Sequence, residues 1–497
     1  MMARLTLLYV CLAWAMALLT GLVAGAPTSI YSYRDTGASL INATPYRWRR
    51  GHIDALRVAD WQDWPEYIEP GESVSLPVTV HRQFYMDAAA EVRYHLEGAS
   101  EPMSLQLEYR GGWSPLLWVR FMGALRTLNN GPDAEVEVGF RRAPGGVGFV
   151  LAGTEGHFVA NDPVPNWMHA TLPEIGHVPL RELAMPRSHH AGMWKDTASI
   201  GSGIRVNTVT QKEDLGRQIR EGGIRVLDVR ATRWHDHFRE SHASEVKGTW
   251  QGMFGAGLEE MIDIVNDFNR DAPGELFILD MHPDSRSADR GWEPLNDWEM
   301  NALYELLQKL EHRIVIPDGE DVTKWPLERF IGKGKPAVIV RVHSAWLDNH
   351  PAVKFPGGRE GFATDRNFPL RGRWSEKNNV RDMMEDELAH LASLRSRRDT
   401  TIFNMEWILT QSTGQVIAPV TSITDLNESA WTTLYDVLWD SLTDQSYPNW
   451  ITMDSVSGGQ HKAMCMAINM CLGARKCGTL RGKVTLPGKG GGEAEGL

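Results

Sequence analysis

Cysteine is scarce in this chain, with four in 497 residues, so a small disulfide-framework fold is excluded. Surplus positive charge is also missing: Lys+Arg 51 against Asp+Glu 63 leaves a formal charge of −12. Nucleic-acid binders neutralise phosphates with surplus cations, and a broad basic face is what docks on anionic lipid, so both are poor matches. After the first 26 residues no apolar run is long enough to span a bilayer. No GxGxxG or P-loop pattern points to nucleotide chemistry, and no Cys/His spacing fits a structural zinc site. Apolar residues at 42% and charged residues at 23% match an ordinary globular chain, which excludes wholesale disorder, collagen and coiled coil. What is abundant is tryptophan, 19 against 14 Phe and 11 Tyr. Indoles suit surfaces apolar on one side and wet on the other, including membrane interfaces and ligand clefts; cores account equally well for most of them.

Residues 1–26 read as a secretory signal, one Arg before a long apolar stretch that ends at Ala24-Gly25-Ala26. The expectation is a secreted, extracellular product. The sequons at Asn42 and Asn427 suit glycosylation on that route. Cys465, Cys471 and Cys477 remain after the signal. On one helix Cys465 and Cys471 would lie about 9 Å apart along the axis, too far to bridge, so Cys471–Cys477 is the expected disulfide.

Residues 27–165 carry short strand-like runs, among them Ser73–His81, Ala90–Leu96, Ser104–Tyr109 and Ala134–Phe140, punctuated by Gly-Gly and Asn-Gly turns. They predict an antiparallel β-sandwich. Residues 171–478 alternate apolar strands with amphipathic helices: Gly223–Arg230, helical Leu258–Asn269, Glu275–Met281, helical Trp298–His312, Ala337–Val342, helical Val380–Leu394, Thr401–Leu409, helical Ala430–Leu442 and Trp450–Met453. Strands apolar on both faces between helices imply a parallel sheet, and roughly eight such units predict a TIM-type (β/α)8 barrel. The overall fold class is therefore α/β, a barrel preceded by an all-β sandwich. Residues 479–497 are expected to form a disordered Gly-rich tail.

Chemistry in a parallel barrel sits where strands end. His189, Arg230, His242, His282, Arg341, Glu406, Trp407 and Asp454 fall at such positions. Two imidazoles and a guanidinium suit a phosphodiester: one neutral His removes a proton, a protonated His returns one to the leaving oxygen, and Arg stabilises the phosphorane charge. A buried carboxylate behind one His fixes its tautomer.

The run Met185–Gly192 (MPRSHHAG) resembles the opening motif of the phosphatidylinositol-specific phospholipase C X-domain superfamily. Gly223–Arg230 (GIRVLDVR) looks like its second-strand motif, Ser241-His242 sits where a second catalytic His is expected, and Tyr447–Asp454 (YPNWITMD) resembles its last-strand segment. Trp250-Gln251-Gly252 and Gly274–Asp280 are similar to the secreted fungal branch. The resemblance implies a phosphoric diester hydrolase with His189 as general base, His242 as general acid, Arg230 at the transition state, Asp454 behind His189, and Asp228 organising the cluster. It implies a phospholipid or glycerophosphodiester substrate met by transient contact with a membrane surface; His190, His282, Arg341 and Trp407 are the candidate substrate contacts, with structural pairing to an acidic neighbour equally open for Arg341. A cation after Asp228-Val229 implies metal independence, with no cofactor.

Two departures stand out: His190 replaces the usual Asp or Asn, and His282 replaces a Lys. With the Trp excess they motivate a second reading, a non-catalytic lipid- or glycan-binding protein on a degenerate barrel. A third, a metal-dependent glycerophosphodiesterase, needs a Glu-x-Asp cluster that Asp228-Val229-Arg230 does not provide.

Overall fold

The structure, a computed structural model, describes residues 33–80, 86–141, 146–161, 164–398, 400–417 and 421–484. The signal segment 1–26 and residues 485–497 of the expected tail lie outside these, as do residues 162 and 163.

The described residues between 33 and 161 build two sheets around one core. A four-stranded sheet holds Tyr33–Ala43, Ser73–Val80, Val58–Ala59 and Val147–Ala152, and a six-stranded antiparallel sheet includes Arg47–Leu56, Ala89–Glu97, Met103–Arg110, Leu116–Gly123 and Glu135–Gly139. Because side chains alternate across a strand, Leu40 and Phe149 face the six-stranded sheet, while Ile41, Ala43, Val150 and Ala152 face the second half of the chain. Val147–Ala152 is buried throughout, lying in both cores. At Gly148 an added Cβ would come within 2.2 Å of the Tyr435 ring, so the two halves meet backbone to ring.

The second half is organised by an eight-stranded parallel sheet. Numbering only its strands, these are β1 Met185–Ser188, β2 Val226–Val229, β3 Leu276–Met281, β4 Ala337–Arg341, β5 Phe362–Ala363, β6 Leu370–Arg371, β7 Ile402–Glu406 and β8 Trp450–Met453. Their order is β5-β4-β3-β2-β1-β8-β7-β6. Most are buried on both faces, as helix-flanked parallel strands are. The sheet is curled. In a flat sheet β3 and β7 would lie about 19 Å apart. Yet the Arg187 guanidinium from β1, between them, is 3.0 Å from Asp280 of β3 and 3.8 Å from Glu406 of β7.

Hydrogen bonding among the described residues does not close the curl into the expected ring. β5 and β6 have two residues each and pair only outward, with β4 and β7, and the connection between them carries buried Phe368 and Asp365, the latter ion-paired with Arg341 of β4. A second difference is a mixed, mostly antiparallel sheet contributed by the segments that follow β1, β2 and β3, built from Ala198–Ile200, Ala231–Trp234, His237–Val246, Thr249–Gly257, Arg286–Ser287 and Glu293–Pro294. Leu480 and Val484 are buried, and the Lys483 Nζ donates to the carbonyls of Trp439 (2.6 Å) and Asp440 (2.7 Å). The core thus extends through residue 484 and takes in the first six residues, 479–484, of the expected tail. No helix of the described residues is long and apolar enough to cross a membrane.

Candidate active site

At the carboxyl edge of the sheet the chain turns sharply after β1. His190 adopts φ +43°, an uncommon conformation for a residue with a Cβ. Asp228 holds it there: its Oδ2 accepts the His190 N–H at 3.0 Å, and its carbonyl accepts the Ala191 N–H at 2.9 Å. The loop 208–211 grips the other side, Thr210 Oγ1 (3.1 Å) and Gln211 Nε2 (2.8 Å) both donating to the His189 carbonyl. The turn places the rings of His189 and His190 4.6 Å apart, edge to face.

Asp454, His189 and Arg230 form a line. Asp454 Oδ1 lies 2.7 Å from His189 Nδ1, and Arg230 Nη2 lies 3.3 Å from His189 Nε2. A guanidinium can only donate, so Nε2 is the acceptor and the neutral ring carries its proton on Nδ1, toward the carboxylate. That is the tautomer a general base requires. Asp454 is itself held: Asn427 Nδ2 donates to Oδ2 at 2.9 Å, and the Trp431 indole donates to its carbonyl at 2.8 Å. Asp228 lies between two cations, 3.1 Å from Arg187 and 3.6 Å from Arg230. Burial would raise its carboxyl, but Arg187 and then Arg230 outweigh that and hold it well below the usual range, so it stays ionised.

His242 stacks on His190, centroids 4.3 Å apart and planes at 28°, and its centroid lies 6.3 Å from that of His189. Its Nδ1 is 2.9 Å from the Thr208 carbonyl. A carbonyl only accepts, so the proton sits on Nδ1 and Nε2 is bare. Burial, then the charges of His189 and Arg230, push its pKa down to about 3. The residue expected to act as an acid is a neutral imidazole at rest.

Two participants escaped the sequence reading. Glu240 is fully buried; both carboxyl oxygens accept the Arg230 N–H (3.2 and 3.0 Å), and Oε1 is 3.0 Å from His190 Nδ1. Its pKa is raised by burial and by Asp228. The register shift between Arg239 and Ser241 is the kind of irregularity that re-aims a side chain, and no local pattern in HFRESHASEV announces it. Arg187 ties Asp228, Asp280 and Thr452 together. It stands inside the quoted β1 motif, but its role emerges only from the curl.

Other expectations are corrected. His190 is 1% exposed and covered by His242, so it supports the cluster from behind instead of meeting a ligand. Arg341 is buried and committed to Asp280 at 2.7 Å and to Asp365, which leaves it no free face for a headgroup. Trp407 is fully buried, its indole donating to the Ala430 carbonyl at 2.9 Å; it is core. His282 stands at the end of β3 with Nδ1 accepting the Asp284 N–H at 3.2 Å, its pKa pushed down to about 4 by burial and then by Arg230. Both sequon asparagines are buried. Asn42 Nδ2 donates to the carbonyls of Tyr46 and Ile68, and Asn427 Nδ2 to those of Leu409 and Ile423 besides Asp454. The folded chain presents neither amide to an oligosaccharide. Cys471 and Cys477 are joined as a disulfide, and Cys465 is free and buried. No group of three or more His, Cys, Asp or Glu side chains among the described residues is arranged to hold a metal ion.

No family model matches the chain, and no curated protein matches it. Solved structures of bacterial phosphatidylinositol-specific phospholipases C are similar to it. One from Staphylococcus aureus has 14% identity over 62% of this chain and 99% of that one, with a TM-score of 0.45. One from Listeria monocytogenes has 15% identity over 61% of this chain and 98% of that one, with a TM-score of 0.40.

Proposed function

We propose that this chain is a phosphodiesterase of the phosphatidylinositol-specific phospholipase C type. In this reading the curled sheet serves as an open barrel, the product is exported, and an alcohol phosphodiester is cleaved by acid–base catalysis without a metal. The observation that carries it is the Asp454–His189–Arg230 line with its imposed tautomer. His189 Nε2 takes the proton of a neighbouring substrate hydroxyl as that oxygen bonds to phosphorus, and Asp454 stabilises the imidazolium. Arg230 donates to the phosphoryl oxygens as their charge grows. His242, protonated once the anion is bound, gives its proton to the departing alkoxide. The first product is a cyclic phosphate, which water then opens. Metal independence is supported by the commitment of Asp228 to Arg187 and Arg230, which places cationic charge where a metal would need carboxylate.

A lipid substrate is supported by the rim. Ile204, Val206 and Val416 are 43%, 37% and 41% exposed, and Asn207 Nδ2 joins their two loops through the Val416 carbonyl at 3.0 Å. This rim adjoins Thr208, the residue that holds His242. A second reading, binding without turnover, draws on the resting neutrality of His242. Incubation with phosphatidylinositol and with soluble glycerophosphodiesters in EDTA separates the two. The expected result is release of a phosphate ester, with His189→Ala and His242→Ala each lowering kcat by about 10²- to 10⁴-fold. Turnover that survives both substitutions overturns the assignment, turnover lost in EDTA overturns metal independence, and vesicle binding without product favours the second reading.

A further inference from the structure

Arg141 leaves the end of the strand Glu135–Gly139 in the β-sandwich and crosses to the other half of the molecule. Its guanidinium is 8% exposed. Nη1 donates to Glu428 Oε2 at 2.6 Å, Nη2 donates to Ser457 Oγ at 2.9 Å, and its Cζ lies 4.3 Å from the centre of the Trp431 ring. Each contact ends close to Asp454. Glu428 and Trp431 belong to the helix Ile423–Thr433, whose Asn427 and Trp431 bind the Asp454 carboxylate and carbonyl. Ser457 lies on the loop that follows Asp454. Glu428 continues the path: its Oε1 accepts from Lys212 Nζ at 2.6 Å. The adjacent Gln211 donates to the His189 carbonyl and accepts the Val456 N–H at 3.0 Å. Burial would raise the Glu428 carboxyl, but Arg141 and Lys212 hold it below its ordinary value, so the junction is ionic.

Two other hydrogen-bonded contacts between the halves end elsewhere. Gln460 bonds to Val138 and Gly148 from the helix Gln460–Ala467, and the Trp439 indole donates to the Gly71 carbonyl. Their hydrogen bonds end on groups other than Asn427 and Trp431, the two helix side chains that bind Asp454.

We propose that Arg141 is a positioning residue: by clamping the helix Ile423–Thr433 to the loop after Asp454, the β-sandwich sets the Asp454 carboxylate against His189. The inference rests on the reading of His189 as the base. The guanidinium touches neither substrate nor reacting atoms. It fixes where a carboxylate stands, and small misplacements of such groups are costly: a shift of about 1 Å from a remote substitution can cost about 10²-fold in rate.

The test uses the whole chain and a readout independent of turnover, the downfield proton resonance of the His189 Nδ1–H, assigned by its loss in Asp454→Asn. In Arg141→Met the resonance is expected to shift and exchange faster with water, Arg141→Lys to restore it, and Gln460→Ala to leave it in place whatever it does to the melting temperature. On any phosphodiester the enzyme cleaves, Arg141→Met should lower kcat by about 10- to 100-fold with KM within about twofold. Where Arg141→Met fails to fold, Glu428→Gln takes its place under the same expectations. An unchanged resonance in a folded variant, an equal change in Gln460→Ala, or no such resonance in the wild type overturns the proposal. A protein that turns over no phosphodiester but whose resonance responds as stated refutes the phosphodiesterase reading and leaves the clamp standing.

Discussion

At His242 the hydrogen bond from Nδ1 to the Thr208 carbonyl means that an acid role requires a proton the resting ring does not hold. With its pKa pushed down to about 3, the ring is neutral at pH 7 until an anion adds negative charge beside it. Binding of sulfate, which brings no proton of its own near neutrality, should therefore be accompanied by net proton uptake. Titration calorimetry in buffers of different ionisation heats measures this, and His242→Ala should abolish it. Zero uptake by the wild type would remove His242 as the donor. Arg341 makes the opposite case. Arg341→Met should leave KM unchanged, yet it takes one of two guanidiniums from buried Asp280 and the guanidinium from Asp365 and should cost about 3 kcal/mol of stability in a denaturant titration. A raised KM with unaltered stability would return Arg341 to the substrate. Much of the cluster was legible at this scale because reactive side chains follow the apolar runs of parallel strands: His189, Arg230 and Asp454 could be placed by counting to strand ends. Glu240 and Arg187 could not, since a shift of register and a curl decide what they touch.

Among the elements, Val380–Leu394 and Trp450–Met453 lie where their patterning placed them, because apolar spacing runs to both ends. The helix expected from Ala430 begins at Ile423 instead. Its first two turns are rich in polar residues, Thr424, Asp425, Asn427, Glu428 and Ser429, which hide the period. Its start is marked by a cap: Ser422 Oγ accepts the Asp425 N–H at 3.0 Å. One of those polar residues, Asn427, holds the Asp454 carboxylate, and the sequon pattern there points toward sugar. On the helix Gln460–Ala467, His461 is fully buried with its ring edge-on to Trp431. Burial drives its pKa down to about 3 from an ordinary 6.5. Between those values the unfolded chain binds a proton that the folded one refuses, so this group makes stability rise with pH across that window and adds no penalty above it. His461→Phe should consequently gain in melting temperature over the wild type as the pH falls from 6.5 toward 4, and the difference should level off above 7. A difference independent of pH would show that burial of the neutral ring is not what matters.

For the whole molecule, the bond Cys471–Cys477 spans a separation of 6 residues. Closing so short a loop removes little freedom from the unfolded chain, so replacing both cysteines by Ala should cost about 2 kcal/mol in a denaturant titration. No measurable loss would mean the bond does not constrain the unfolded state. The strand Val147–Ala152 lies in both cores, which binds the sandwich to the α/β half as one buried body. The sandwich itself was legible from turn spacing, but its junction with the second half was not, since a strand buried on both faces reads alike whichever layer covers it.

The position of β8 beside β1 has a consequence for synthesis. A ribosome delivers β1 through β7 well before Trp450–Met453, so the sheet must wait with the middle of its ladder unfilled. His189 and Asp454 are separated by 265 residues, and the carboxylate is the last member of the line to be translated. Chains terminated before residue 454 carry the imidazole without its counter-charge, so the hydrogen-bonded line is complete only once β8 has been made.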